Sequence, residues 1–340
     1  MRVLFLGYSQ LGYRAVKLLP ELGCAVAAVV THRDDPEERR WYRTPAEAAA
    51  ELGLPLHYAG DLAAAPGGLG AFAAGLAPDL VLSVFYRDLL PAPVLAAARL
   101  AALNLHPSLL PAYRGRAPIN WVLVNGETRT GVTLHHMIGR ADAGDVVGQR
   151  AIAIAPRETA LSLYRKVEEE GVLLLREMLP RVAAGTAPRL PQDESLASVC
   201  GRRRPEDGRI DWSWPAARID RLVRAVAPPW PGAFGDLEGR RAWIYRGRPA
   251  EPVVASPQPA AAGRPAERLA ASAEPAAPGR PAGPLAAASP QPAAAGRPAP
   301  GTVRRDPAAG RVWVATGDRW FEVEEAAGLA GAPPPADPFA

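Results

Sequence analysis

The stretch LVLSVFYRDLLPAPVLAAARLAALNLH, residues 80–106, decides the fold. Its first six residues are nearly all apolar, and a break containing Arg87 and Asp88 follows. Residues 92–100 are then rich in alanine and leucine, and residues 102–106 are apolar again with Asn104 and His106 interleaved. Two apolar runs of strand length around a helical stretch describe a β-α-β unit whose strands are parallel and covered on both faces. The alternation extends outward. Residues 2–6, 25–30 and 55–58 read as strands, and 11–22, 45–52 and 69–76 as helices. Downstream, 131–137 and 146–155 read as strands, and 159–179 as a long helix with a polar start at Thr159.

The expectation is an α/β protein: a Rossmann-like, mostly parallel sheet with helices on both faces. At 340 residues the chain has room for a second domain. A composition break at 202–207 marks the connection. Beyond it, 209–212, 233–246, 312–316 and 320–325 read as strands and 216–226 as a helix, with turns at 238–239 and 316–318. These segments predict a smaller β-rich, OB-like domain over 202–254 and 301–335, following a catalytic domain over 1–201. Between its two parts, residues 255–300 contain 18 Ala and 11 Pro, and ASPQPAAAGRPA occurs at both 255 and 288. Proline at that density opposes helix and sheet alike, so this insertion is expected to be disordered.

Composition excludes several classes. Lys and Arg number 39 against 35 Asp and Glu, a net charge of +4, which is no polycation built for nucleic acid. Two cysteines exclude a disulfide framework or a cysteine-rich zinc module. MRVLFLGYSQLGYRAV lacks the pattern of a signal peptide, and no apolar run reaches membrane-spanning length, so a cytoplasmic protein without membrane insertion is expected. The turn at 7–12, GYSQLG, is not G-x-G-x-x-G, and Thr31-His32-Arg33 supplies no acidic residue after the second strand. It reads as a strand-to-helix turn, and nicotinamide redox chemistry is not expected.

The residues suited to chemistry lie in NLHPSLLPAYRGRAP, 104–118. On a strand, Asn104 and His106 are two apart and share a face, and Pro107 ends the strand just beyond them. That is the carboxyl edge, where open α/β sheets bind ligands. An amide donor beside an imidazole suits acyl transfer, the amide for a developing oxyanion and the imidazole for a proton. Alone, the pair reads equally well as two satisfied polar residues at a strand end. The loop GRADAGD, 139–145, offers two carboxylates, Asp142 and Asp145, either of which could orient an imidazole, though it also reads as a solvated acidic turn. His135 and His136 are adjacent on a strand, point to opposite faces and cannot pair around a metal.

Together, Asn104-Leu105-His106, Ser108-Leu109-Leu110-Pro111, Tyr113-Arg114-Gly115 and Ala141-Asp142-Ala143-Gly144-Asp145 resemble the 10-formyltetrahydrofolate-dependent formyltransferase family. Within it the pattern is most similar to the formyltransferase domain of the bifunctional polymyxin-resistance enzyme, which formylates UDP-4-amino-4-deoxy-L-arabinose. RGRAPINWVLVNGET (114–128), Thr31-His32, GVTLH (131–135), VRAV (223–226) and PWPGAF (229–234) carry that similarity. The resemblance spans about residues 1–250 and resumes near 301–328; the Ala/Pro insertion has no counterpart in it.

The resemblance implies formyl transfer from 10-formyltetrahydrofolate to the amine of a nucleotide-linked 4-amino sugar, serving lipid A modification, with no metal. It implies that Asn104 stabilises the oxyanion, that His106 is the general acid and base, and that Asp142 raises the pKa of His106. Folate contacts are implied for Asp88, Leu89, Leu90, Arg116, Ile138, Gly139, Arg140, Ala141 and Asp142. The alternative acceptor is methionyl-tRNA, but residues 205–250 and 301–340 carry 12 Arg against 12 Asp and Glu, which is no basic stripe for tRNA. A non-catalytic folate- or nucleotide-sugar-binding subunit has no need of the Asn-His-Asp set. Self-association into a homo-oligomer is left open.

Overall fold

The computed structural model describes residues 1–35, 40–250 and 298–330. The insertion expected at 255–300 falls almost wholly outside the described residues. By internal contacts the described residues divide into two units, one within Met1–Arg209 and Arg221–Ala233, the other Ile210–Asp220 with 234–250 and 298–330.

The first unit is built from β1 (Arg2–Gly7), α1 (Ser9–Glu21), β2 (Ala25–Thr31), α2 (Pro45–Leu52), β3 (Leu56–Tyr58), α3 (Ala59–Ala64), α4 (Gly68–Leu76), β4 (Leu80–Val84), α5 (Ala92–Ala96) and β5 (Ala101–His106). It continues with β6 (Arg114–Gly115), α6 (Pro118–Asn125), β7 (Arg129–His136), β8 (Val146–Ala153), α7 (Ala160–Ala183) and β9 (Val199–Cys200). Seven strands form the main sheet in the order β3-β2-β1-β4-β5-β7-β8. The first five are parallel, while β7 runs antiparallel to both β5 and β8. The expected mostly parallel sheet covered by helices is therefore present.

Local signals explain the elements. Thr44 and Glu47 form a capping box at the start of α2, and Gly53 in the left-handed region ends it. Thr159 accepts from the Ser162 backbone N–H and starts α7. Leu4, Leu6, Val81 and Ala102 make one face of the sheet apolar and bury it against Leu62, Ala73 and Val94 of the neighbouring helices. On the other face α7 comes close at Gly171, where a Cβ would lie 3.0 Å from Leu11 and 3.2 Å from Leu105. Leu105 faces α7, so its neighbours Asn104 and His106 face the opposite side.

The second unit holds a five-stranded antiparallel sheet in the order β10-β11-β14-β13-β12, made of β10 (Ala233–Leu237), β11 (Arg240–Ala250), β12 (Val303–Asp306), β13 (Arg311–Ala315) and β14 (Trp320–Ala327). The hairpin turn at Glu238-Gly239 is present, with both residues at positive φ. α8 spans Ala216–Val226. Two expectations need correction. Residues 209–212 are not a strand, because Asp211 accepts from the Ser213 backbone N–H at 2.9 Å and folds the chain into a turn. The helix expected over 92–100 stops at Ala96, because the Arg99 and Leu100 N–H groups turn away to Pro78 and Asp79 carbonyls and lead into β5.

One buried group in α7 is left at odds with its surroundings. Glu168 is 6% exposed, its Oε1 has no hydrogen-bond partner, and burial pushes its carboxyl up to about 7. The unfolded chain ionises this group near pH 4.5, so the folded state loses relative stability as pH rises from there through 7. Glu168→Gln is expected to be more stable than the parent at pH 8, by on the order of 2 kcal/mol in urea denaturation, and about equal at pH 4. A difference that is the same at both pH values would contradict this account.

Candidate active site

The site forms where β5 ends. Ser83 and Val84 of β4 lie beside Asn104 and Leu105 on one side, and β7 places His135 opposite Asn104 on the other. Pro107 stops β5, and the chain turns through Ser108–Tyr113, fastened by Thr133 Oγ1 donating to the Ser108 carbonyl at 2.6 Å and by Ser108 Oγ donating to the Ala112 carbonyl at 2.6 Å. This turn returns the Tyr113 carbonyl to within 2.8 Å of His106 Nε2. A carbonyl only accepts, so Nε2 carries the proton and Nδ1 is the nitrogen left to titrate.

The structure brings Asn104, His106 and Asp142 together. Asp142 Oδ2 lies 3.5 Å from His106 Nδ1 and accepts from the Gly115 backbone N–H at 2.8 Å. Its Oδ1 accepts from Asn104 Nδ2 at 3.3 Å and lies 3.4 Å from His135 Nε2. Asn104 Nδ2 also contacts His135 Nε2 at 3.2 Å, while His135 Nδ1 donates to the His136 carbonyl at 2.8 Å. Asp145, the other carboxylate of the loop, pairs with Arg189 instead. Gly115 has φ +99, and a Cβ there would collide with the Cys200 carbonyl of the paired strand β9, so only glycine brings its N–H to Asp142.

Burial dominates the electrostatics of His106, which is 4% exposed. It pushes the imidazole below its ordinary value and outweighs the opposite pull of Asp142 and of the Tyr113 carbonyl. Asp142 does raise His106, but the balance leaves the imidazole neutral at pH 7. For Asp142 burial acts upward, yet His106, His135 and the Gly115 N–H outweigh it and hold the carboxyl well below the usual carboxylate range. An ionised carboxylate beside a neutral imidazole is arranged to stabilise a proton arriving on Nδ1.

The residues implied as folate contacts fall on two loops and one strand end. Asp88, Leu89 and Leu90 follow β4, and Ile138, Gly139, Arg140 and Ala141 follow β7, the strands on either side of β5. Leu90 and Met137, from these two loops, pack against the same buried cluster. Leu89 is 78% and Ile138 47% exposed, apolar side chains with little cover. Arg116 reaches the first loop, its Nη2 donating to the Arg87 carbonyl at 3.0 Å, and Arg140 pairs with Glu194 at 2.5 Å. Sequence reasoning missed the Tyr113 carbonyl, the Gly115 N–H and His135. The register of β7 on β5 would have shown His135 opposite Asn104, but that register requires the strand order. Among the described residues no group of three His, Cys, Asp or Glu side chains is arranged to hold a metal ion, and no helix is long and apolar enough to cross a membrane.

The balance of charges predicts the titration of His106. Its midpoint, followed by NMR of the imidazole, is expected below 6.5 in the parent and lower still in Asp142→Asn, which removes the upward pull. A parent midpoint above 6.5 would mean that the carboxylate outweighs burial.

The formyl transferase domain pattern matches residues 1–179, and the formyl transferase C-terminal domain pattern matches 203–276. Among solved structures, the chain is similar to HypX from Aquifex aeolicus, solved with tetrahydrofolic acid, at 22% identity and TM-score 0.59; the match covers 96% of this chain and 44% of that one. The chain thus spans less than half the length of HypX. It is also similar to the N-formyltransferase from Helicobacter canadensis bound to folinic acid and dTDP-3-aminofucose, at 13% identity and TM-score 0.62, covering 94% and 97% of the two chains. WlaRD, a sugar 3N-formyl transferase solved with dTDP and 5-N-formyl-THF, matches at 12% identity and TM-score 0.64, covering 97% and 98%. At these identities the likeness is one of fold. With its first 179 residues matched by the transferase domain, the chain belongs to the formyl transferase family.

Proposed function

We propose that this formyl transferase moves the formyl group of 10-formyltetrahydrofolate to the amine of a nucleotide-linked amino sugar, with UDP-4-amino-4-deoxy-L-arabinose as the acceptor. The observation that carries the reading is the convergence of Asn104, His106 and Asp142 at the end of β5 in a chain of this family. Sugar N-formyltransferases among the structural neighbours, two of them solved with dTDP or a dTDP-sugar, support a nucleotide sugar over other amines. The choice of UDP-4-amino-4-deoxy-L-arabinose, and with it a role in lipid A modification and polymyxin resistance, rests on the sequence pattern at 114–128.

The residues divide the work as follows. The acceptor nitrogen attacks the formyl carbon, a C–N bond forms, and the carbonyl electrons move to oxygen. Asn104 donates an N–H to that oxygen. Both of its N–H groups are engaged at 3.2–3.3 Å, the long end of the range, so one transfers to the oxyanion at small cost. Neutral His106 takes the amine proton on Nδ1, where Asp142 stabilises the new charge, and Nε2 stays on the Tyr113 carbonyl. The tetrahedral adduct then breaks its bond to the folate nitrogen, and His106 returns the proton to that leaving nitrogen. The products are tetrahydrofolate and the N-formyl sugar. The exposed Leu89 and Ile138 suit the flat, partly apolar folate on the face of β5 that carries Asn104.

Incubation with 10-formyltetrahydrofolate and a panel of UDP-, dTDP- and GDP-linked 4-amino sugars is expected to release tetrahydrofolate with the UDP-linked pentose. Asn104→Ala is expected to lower kcat by about 10²- to 10³-fold with the fold intact. Formate release without an acceptor would show a hydrolase. Protection against thermal unfolding by tRNA and not by UDP-sugar would move the acceptor to methionyl-tRNA. Full activity in Asn104→Ala would remove its assigned role.

A further inference from the structure

Asp142, whose carboxylate meets both Asn104 and His106, has φ +53, in the left-handed region. Aspartate tolerates that region better than most residues, yet it persists only where surrounding contacts over-determine it. Those contacts come from the segment after α7. Gln192 Nε2 donates to the Asp142 carbonyl at 2.8 Å and to the Gly144 carbonyl at 2.7 Å. Its Oε1 accepts from Arg114 Nε at 3.1 Å and Arg114 Nη2 at 2.7 Å. Carbonyls only accept and a guanidinium only donates, so the orientation of the amide is determined, and both N–H groups and both lone pairs are used.

The placement of these partners gives Gln192 leverage. Arg114 is 5% exposed and immediately precedes Gly115, whose N–H holds Asp142 Oδ2. One amide therefore grips the backbone of the aspartate and the strand that binds its side chain. Further along the same segment, Ser198 Oγ accepts the Tyr113 N–H at 2.9 Å, which steadies the carbonyl on His106. Gln192 meets Asp142 at its backbone carbonyl only and leaves the carboxylate to Asn104, His106 and the Gly115 N–H.

We propose that Gln192 is a positioning residue: by donating to the Asp142 and Gly144 carbonyls while accepting from Arg114, it sets the distance and angle at which the Asp142 carboxylate meets His106. Asp142 faces His106, His135 and Cys200, and His106 faces Asp142 and His135, so a shift of the Asp142 loop changes the charge environment of His106 directly. The kinetic consequence rests on the formyl-transfer reading; the electrostatic one does not.

Gln192→Met keeps the length and neutrality of the side chain and removes all four hydrogen bonds. Gln192→Ala, at a half-buried position, serves as the second variant. Two readouts are compared with the parent: the His106 imidazole titration by NMR in the ligand-free protein, and kcat and KM for 10-formyltetrahydrofolate. The His106 midpoint is expected to fall by roughly half a pH unit as the upward pull of Asp142 weakens. The kcat is expected to fall about tenfold or more, with KM changed less than about threefold. A lowered melting temperature with an unchanged midpoint and unchanged kcat would assign Gln192 a purely structural role and overturn the proposal. If the parent transfers no formyl group but the midpoint still falls, the positioning role stands and the reaction assigned to the site fails.

Discussion

A buried, ionised carboxylate needs partners on every side, and the site is organised around that need at Asp142. A charge taken out of water is costly unless hydrogen bonds and opposite charges offset the loss of solvation. Here the hydrogen bonds come from the backbone N–H of Gly115 and the amide of Asn104, and the imidazoles of His106 and His135 lie within 3.5 Å. Remove any of them and the carboxyl drifts toward its neutral form, which would no longer stabilise a proton on His106. The requirement explains why a glycine occupies 115, why the turn after β5 folds back on itself, and why β7 places a second histidine beside the first.

The sheet and the connecting segments contribute differently. Parallel strands with apolar cores fix Asn104 and His106 to within the tolerance of a β-register, which suits groups that must meet a reacting carbon. Asp142 arrives on a loop, and loops are looser. The chain compensates with the stretch after α7, which pairs with the start of β8 at Leu190, grips the loop through Gln192, and then adds β9 to β6. That stretch lies between the regions matched by the two domain patterns, so a connection in sequence serves as a brace in space.

How much of this was legible in the sequence follows from the range of each interaction. Asn104 and His106 were legible because a two-residue spacing on a strand ending at Pro107 is a local fact. The parallel sheet was legible from apolar runs of strand length. Resemblance to the family, rather than the residues of the loop, separated Asp142 from Asp145. Asp145 turned outward to Arg189, a contact 44 positions away that no local pattern encodes. His135, Gly115 and Gln192 were hidden for the same reason, since each acts through a register or a long-range bond. The expectation that Asp142 raises His106 named one influence correctly and omitted burial, which depends on packing from elements far apart in the chain.

The account stands or falls on which nitrogen of His106 is free to take a proton. Nitrogen-15 NMR of the imidazole at neutral pH in the ligand-free protein reads this directly. A protonated Nε2 and an unprotonated Nδ1 are predicted, with Nε2 on the Tyr113 carbonyl and Nδ1 toward the carboxylate. A neutral ring protonated at Nδ1, or a doubly protonated ring at that pH, would contradict the account, because neither leaves a base at the position where Asp142 can support it.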